Sequence, residues 1–86
     1  MKVFKYELNP ETTLELPIGA KVLSCGVQNE KIFIWVLLDC QNKKENRFFF
    51  VYGTGHEIGD KVKLHFIDTV HMHSLGLVLH VFEELK

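Results

Sequence analysis

The chain has 86 residues, 10 of them basic and 11 acidic, for a formal net charge of −1; 47% are hydrophobic and 12% aromatic. One domain of this length buries only about 60–65% of its unfolded surface, so the apolar load is heavy for the available volume. The charge balance excludes nonspecific binding to a nucleic-acid polymer. Nine of the basic residues are lysine, and Arg47 alone would have to read bases.

In chain order, Val3, Phe4, Tyr6 and Leu8 predict a first strand, after a start that alternates and has no signal-peptide core. Asn9-Pro10-Glu11 marks a turn, and residues 12–16 a second strand with Leu14 and Leu16 on one face. Pro17-Ile18-Gly19 breaks it. Residues 20–28 read as a third strand, joined by the two-residue turn Asn29-Glu30 to a fourth at 31–39. Gln41 to Asn46 is a polar loop, Arg47 to Tyr52 a fifth strand, and Gly53 to Asp60 a glycine-rich connection. Residues 61–73 alternate, with Val62, Leu64 and Phe66 on one face and Lys63 and His65 on the other. Ser74-Leu75-Gly76 is a turn, residues 77–82 the last strand, and the end is polar.

No segment has helical periodicity, and no linker or repeat divides the chain. Residues 1–86 are therefore expected to form one all-β domain, a small antiparallel β-sandwich or open barrel. Residues 32–38, 48–52 and 77–82 are apolar on both faces or nearly so. An antiparallel strand with one wet face should alternate. A two-layer domain of this size cannot cover both faces of several strands, so the expectation is a homo-oligomer. A curled barrel of strongly twisted strands is the monomeric alternative. The longest apolar run, 32–38, is too short to cross a membrane, no polybasic segment favours a lipid surface, and a cytoplasmic protein is expected.

The aromatic run ending in Tyr52-Gly53-Thr54-Gly55-His56 is the first candidate site. Glycines flanking a threonine allow backbone N–H groups to turn inward toward an anion, Thr54 adds a hydroxyl and His56 a ring nitrogen. The competing reading is an ordinary turn or bulge. No Gly-Lys-Ser/Thr follows, so this is not a Walker loop. Arg47, at the head of the run, suits a bidentate phosphate or carboxylate clamp, or simply a solvated charge. Trp35 and Tyr52 offer stacking faces for a planar ring, although a packed core tryptophan is the commoner use. His71 and His73 share a face at period two and would need further ligands to hold a metal; His65 has the same parity. Polar surface is the plainer reading of these histidines, and no metal or cofactor is assigned. Cys25 and Cys40 fit neither a zinc ribbon nor a redox pair and read as reduced thiols. No nucleophile–histidine–acid arrangement is legible.

The stretches Glu15-Leu16-Pro17-Ile18-Gly19-Ala20-Lys21-Val22-Leu23-Ser24, Val27-Gln28-Asn29, Ile34-Trp35, Tyr52-Gly53-Thr54-Gly55-His56 and His80-Val81-Phe82-Glu83 together resemble a group of short uncharacterised phage and prophage proteins. The resemblance spans most of the chain and carries no assigned chemistry. It implies action inside an infected bacterium, where compact phage proteins include counter-defence sponges that hold nucleotide signals away from host effectors. The expected function is therefore sequestration of a small anionic, nucleotide-derived ligand without turnover. Arg47, Gly53, Thr54, Gly55 and His56 would hold phosphate, Trp35 or Tyr52 would stack on the base, and His71 and His73 would line the pocket edge. Two alternatives stay open: a module that binds a host protein through apolar edge strands, and a small metal-dependent hydrolase using His71 and His73.

Overall fold

The computed structural model describes residues 1–60 and 63–85. Seven strands form: β1 (Lys2–Leu8), β2 (Glu11–Pro17), β3 (Lys21–Gln28), β4 (Lys31–Leu38), β5 (Lys44–Gly53), β6 (Leu64–Met72) and β7 (Leu77–Glu84). They build a sandwich of two antiparallel sheets. Sheet A has the order β1-β4-β3 and sheet B the order β2-β5-β7-β6. The Cα envelope measures 40 × 32 × 15 Å, so the molecule is a flat slab of two layers. On one flank β3 lies against β6, and β1 approaches β5 across the layers.

The three segments read as apolar on both faces become the three interior strands: β4 in sheet A, β5 and β7 in sheet B. Their inward residues Ile32, Ile34, Val36, Leu38, Phe49 and Val81 are the heart of the core, joined by Leu8, Leu16, Val70 and Met72 from the edge strands. Alternation puts their other residues outward. Phe33, Trp35 and Leu37 stand outside sheet A, and Phe48, Phe50, Tyr52 and Phe82 outside sheet B.

The turn Asn29-Glu30 is a two-residue hairpin with positive φ at both positions, 51° and 63°, as a type I′ turn requires. β5 begins at Lys44, inside the expected polar loop, because Lys44, Glu45 and Asn46 pair with Pro17, Leu16 and Glu15. The sixth strand runs from Leu64, shorter than the expected 61–73. The face that Val62 was expected to share with Leu64 and Phe66 is not assessed, because Lys61 and Val62 lie outside the described residues.

Two bulges interrupt the ladders, one between Val22 and Ser24 on β3, the other between Phe66 and Asp68 on β6. The second corrects the histidine parity. One extra residue on the strand reverses the facing of everything beyond it. His65 therefore pairs with Glu83 and points to the inner side, whereas His71 pairs with Val78 and points out.

Candidate functional site: the outer face of sheet B

The outer face of sheet B is built around a row of directly paired positions, Glu11, Phe50, Phe82 and Phe66, from β2, β5, β7 and β6. Phe66 meets Phe82 edge-on with ring centroids 5.6 Å apart. Phe82 meets Tyr52 edge-on at 5.9 Å, and Tyr52 stacks on Phe50 at 6.2 Å. Four rings thus form one continuous network, and Phe66 is 51% exposed. Offset and edge-on pairs of this kind add to stability beyond area burial.

The next row is Tyr52, His80 and Thr69. Thr54 Oγ1 lies 2.8 Å from His80 Nε2, and Thr69 Oγ1 lies 2.9 Å from His80 Nδ1. The Thr54 hydroxyl also reaches Val78 O at 3.4 Å. These contacts fit one direction of donation. Thr69 donates to Nδ1, Nε2–H donates to Thr54, and Thr54 donates to the Val78 carbonyl. Both imidazole nitrogens of His80 are therefore satisfied within the fold. Beyond it, His71 pairs with Val78, and the Thr54 N–H donates to Val78 O at 3.3 Å, so Thr54 and His71 flank one β7 position. His71 and His73 stack at 5.7 Å.

The glycine turn is not an open anion nest. Of its N–H groups, that of Gly53 donates to His56 Nδ1 at 3.2 Å, that of Thr54 to Val78 O, and that of His56 to Gly53 O at 3.1 Å. The turn is closed by its own histidine, whose ring lies over Gly53; a Cβ there would stand 2.9 Å from His56 Cε1. A side chain at position 53 would displace the His56 ring from this place, and the φ of +88° favours glycine at 55. His56 accepts at Nδ1, which leaves the ring proton on Nε2. A depression of about 370 Å³ lies beside the turn, lined by Thr54, His56 and Leu77 among others.

Arg47 is not part of this group. It lies six positions before Gly53 on β5, about 20 Å at the rise of a strand. Its side chain turns to the inner side, 6.0 Å from the Phe49 ring. Nη2 donates to Glu83 Oε1 at 2.7 Å, Nε donates to Glu83 Oε2, and Nη1 donates to the Ala20 carbonyl. The bidentate bond to Glu83 raises the guanidinium pKa further, against the opposing pull of burial. The predicted phosphate clamp is in fact a structural ion pair, with both side chains 15% exposed. It ties the crossover between β2 and β3 to β7.

This pair forms part of the lining of a cleft of about 670 Å³ between the bulged strands β3 and β6. Lys21, Ser24, Cys25, His65 and Asp68 contribute to it. Burial, and then the negative charge of Asp68, push the Cys25 thiol up from 9.0 to about 11, so the thiolate is disfavoured there. Glu83 neutralises Arg47 and Asp68 adds a carboxylate, while Lys21 is a second cation in the lining. Sequence reasoning missed both this cleft and the relay through His80. Neither has a local signal, because Arg47 and Glu83 lie 36 positions apart and Thr54 and His80 lie 26 apart.

Trp35 stands on the opposite side of the molecule from Tyr52, on the outer face of sheet A. It is neither core nor part of the Tyr52 group: it packs on Gly26, whose Cβ would stand 3.4 Å from Trp35 Cζ3, and tilts against Phe33 at 6.4 Å. Of the predicted residues, the fold thus groups Tyr52, Gly53, Thr54, Gly55, His56, His71 and His73 toward one end of sheet B, and sets Arg47 and Trp35 apart. Among the described residues, no three His, Cys, Asp or Glu side chains are grouped as metal ligands. No helix among them is long and apolar enough to cross a membrane.

The architecture is that of a small two-sheet antiparallel β-sandwich with a bare aromatic face. The chain belongs to a family described as a domain of unknown function, DUF7352, whose model matches residues 1–86. No curated protein and no solved structure matches it.

Proposed function

We propose that this protein is a non-catalytic binding protein that sequesters a small anionic, nucleotide-derived ligand at the Tyr52 end of the outer face of sheet B. In the phage setting that the sequence resembles, this would withdraw a defence signal from the host cytoplasm. The observation that carries the reading is that a stacking ring, Tyr52, shares the outer face of sheet B with His71, itself stacked on His73, while His56 closes the turn that follows Tyr52. A π face beside nitrogen donors is the chemistry that holds a base and its phosphate. The groups elsewhere that resemble reactive machinery are quenched. Cys25 is held as a thiol, and Arg47 is committed to Glu83. Binding without turnover is consistent with both.

The test is calorimetric titration with cyclic dinucleotides and cyclic ADP-ribose isomers, followed by mass spectrometry of the ligand released on denaturation. The expected result is saturable binding of at least one, recovery of that ligand intact, and loss of binding in His71→Ala. A panel without binding, or a ligand recovered cleaved, overturns the reading. A protein-interaction module is the second reading, favoured by the 51% exposure of Phe66 within an aromatic network. The apolar surface lies on the sheet face. Of the edge strands, β3 and β6 carry bulges that discourage strand addition.

A further inference from the structure

We infer that the cleft between β3 and β6 binds a zwitterionic peptide of dipeptide size, its amino terminus at Asp68 and its carboxylate at Lys21. This site is separate from the Tyr52 end of sheet B and does not depend on the ligand reading. Three observations carry the inference.

The first is how the cleft is built. β3 ends sheet A and β6 ends sheet B, so both walls are free strand edges. Such edges present backbone N–H and C=O groups without strand partners, which suit a peptide unit. Each wall is bulged at the cleft. The residues around the bulges, Val22, Leu23 and Ser24 on β3 and Phe66, Ile67 and Asp68 on β6, all line it. Bulges re-aim side chains and terminate regular pairing. A long strand laid here would fall out of register, whereas one peptide unit would not. The volume of about 670 Å³ lies within the ~300–1,000 Å³ of small-molecule sites.

The second is the sign of the charges. The register turns Asp68 and Glu83 to the inner side, opposite Val81 and Phe49, and Arg47 takes both oxygens of Glu83. Two charges are then left, on opposite walls: Asp68 on β6 and Lys21 at the β3 lip. Asp68 Oδ1 accepts the Thr69 N–H at 2.8 Å, and Lys21 joins neither of the ion pairs among the described residues. A ligand of one sign is attracted by one wall and repelled by the other. A ligand carrying both signs satisfies each.

The third is spacing. Asp68 acts on the Cys25 thiol, which places it four positions along β3 from Lys21. One of those positions is taken up by the bulge, so three strand rises separate the charges by roughly 10 Å. The two charges of a single amino acid sit on one carbon and do not bridge this. An extended dipeptide spans ~7 Å, and the flexible lysine stem covers the remainder. Val22, Leu23 and Ile67 in the lining suit an apolar side chain on the ligand.

Titration of the isotope-labelled chain with alanyl-leucine, read by amide NMR, tests this. Saturable shifts should fall on residues 20–25 and 65–68 and spare the Tyr52 end. N-acetylation of the dipeptide should weaken binding about tenfold or more, and so should Asp68→Asn, because each removes a charged hydrogen bond. Asp68→Asn sits at an exposed position and keeps an acceptor for the Thr69 N–H, so the fold should stand. Amidation of the carboxyl end, or Lys21→Gln at the wet lip, should weaken binding about threefold. The absence of saturable shifts at ~10 mM dipeptide overturns the inference. So does N-acetylated dipeptide that binds the wild type equally well, Asp68→Asn that folds and binds as the wild type does, or shifts confined to the outer face of sheet B. If Asp68→Asn fails to fold, the capped dipeptides on the wild-type chain decide the matter. Nucleotide binding at Tyr52 with no dipeptide in the cleft leaves the ligand reading standing and removes this one; dipeptide binding without nucleotide does the reverse.

Discussion

The two outer faces of the sandwich are both aromatic, and they differ in what covers the rings. On sheet A, the Lys5 ammonium stands 4.7 Å above Phe33 and bonds Gln28 Oε1 at 3.0 Å, while the Trp35 ring lies over Gly26 of β3. The lysine stem shields the ring and its charge remains in water, so one residue turns an apolar face into a solvated one. On sheet B, Phe50, Tyr52, Phe82 and Phe66 pack ring on ring. Among the described residues, the cation–ring contacts are those of Lys5 with Phe33 and Arg47 with Phe49, and neither touches that face. Aromatic content alone does not mark a binding surface; what distinguishes the two is whether the chain supplies its own cover.

The largest effect comes from cutting the tie that holds both faces in one body. Arg47→Met leaves the Glu83 carboxylate largely buried and unpaired, and should cost about 3 kcal/mol in urea unfolding. Adding Glu83→Leu should recover most of the loss, since it removes the stranded charge. A single variant within about 1 kcal/mol of wild type would mean the pair contributes little.

The second test compares the faces directly. Trp35→Ser should cost about 2 kcal/mol, because its ring packs within the fold. Phe66→Ser, measured at concentrations too low for association, should stay within about 0.5 kcal/mol. Equal losses would erase the distinction drawn here. The smallest effect is a gain. Glu30 occupies a left-handed conformation that glycine adopts without strain, so Glu30→Gly should stabilise by about 0.5–1 kcal/mol. Hydrogen exchange should place the added protection on β3 and β4 and leave sheet B unchanged.

Most of the framework was legible from alternation and turn chemistry. Doubly apolar segments marked the interior strands, and Asn29-Glu30 marked its hairpin with the φ values the turn type demands. The rest depends on pairing across the chain. No local pattern announces that a bulge near Ile67 sends His65 inward and His71 outward, and a strict period of two puts both on one face. The Gly53–His56 turn was visible as a turn, but its N–H groups are occupied by His56 and by Val78, which lies 24 positions away. Arg47 read as free because its acceptor, Glu83, belongs to the last strand. Trp35 read as either a stacking face or a core ring, because an apolar run shows that both faces are greasy without saying which residue lies on which.

The bulges on β3 and β6 also govern how copies can accumulate. A regular exposed edge lets one ribbon dock on the next and the next, the route to fibres. On the β3/β6 flank, each border strand is kinked by one surplus residue, which puts the backbone groups of a newcomer out of step. Growth by lateral addition is thus discouraged along that whole side. A chain built almost wholly of ribbon can then carry a broad aromatic sheet face at modest risk, because the neighbouring edges do not propagate a ladder.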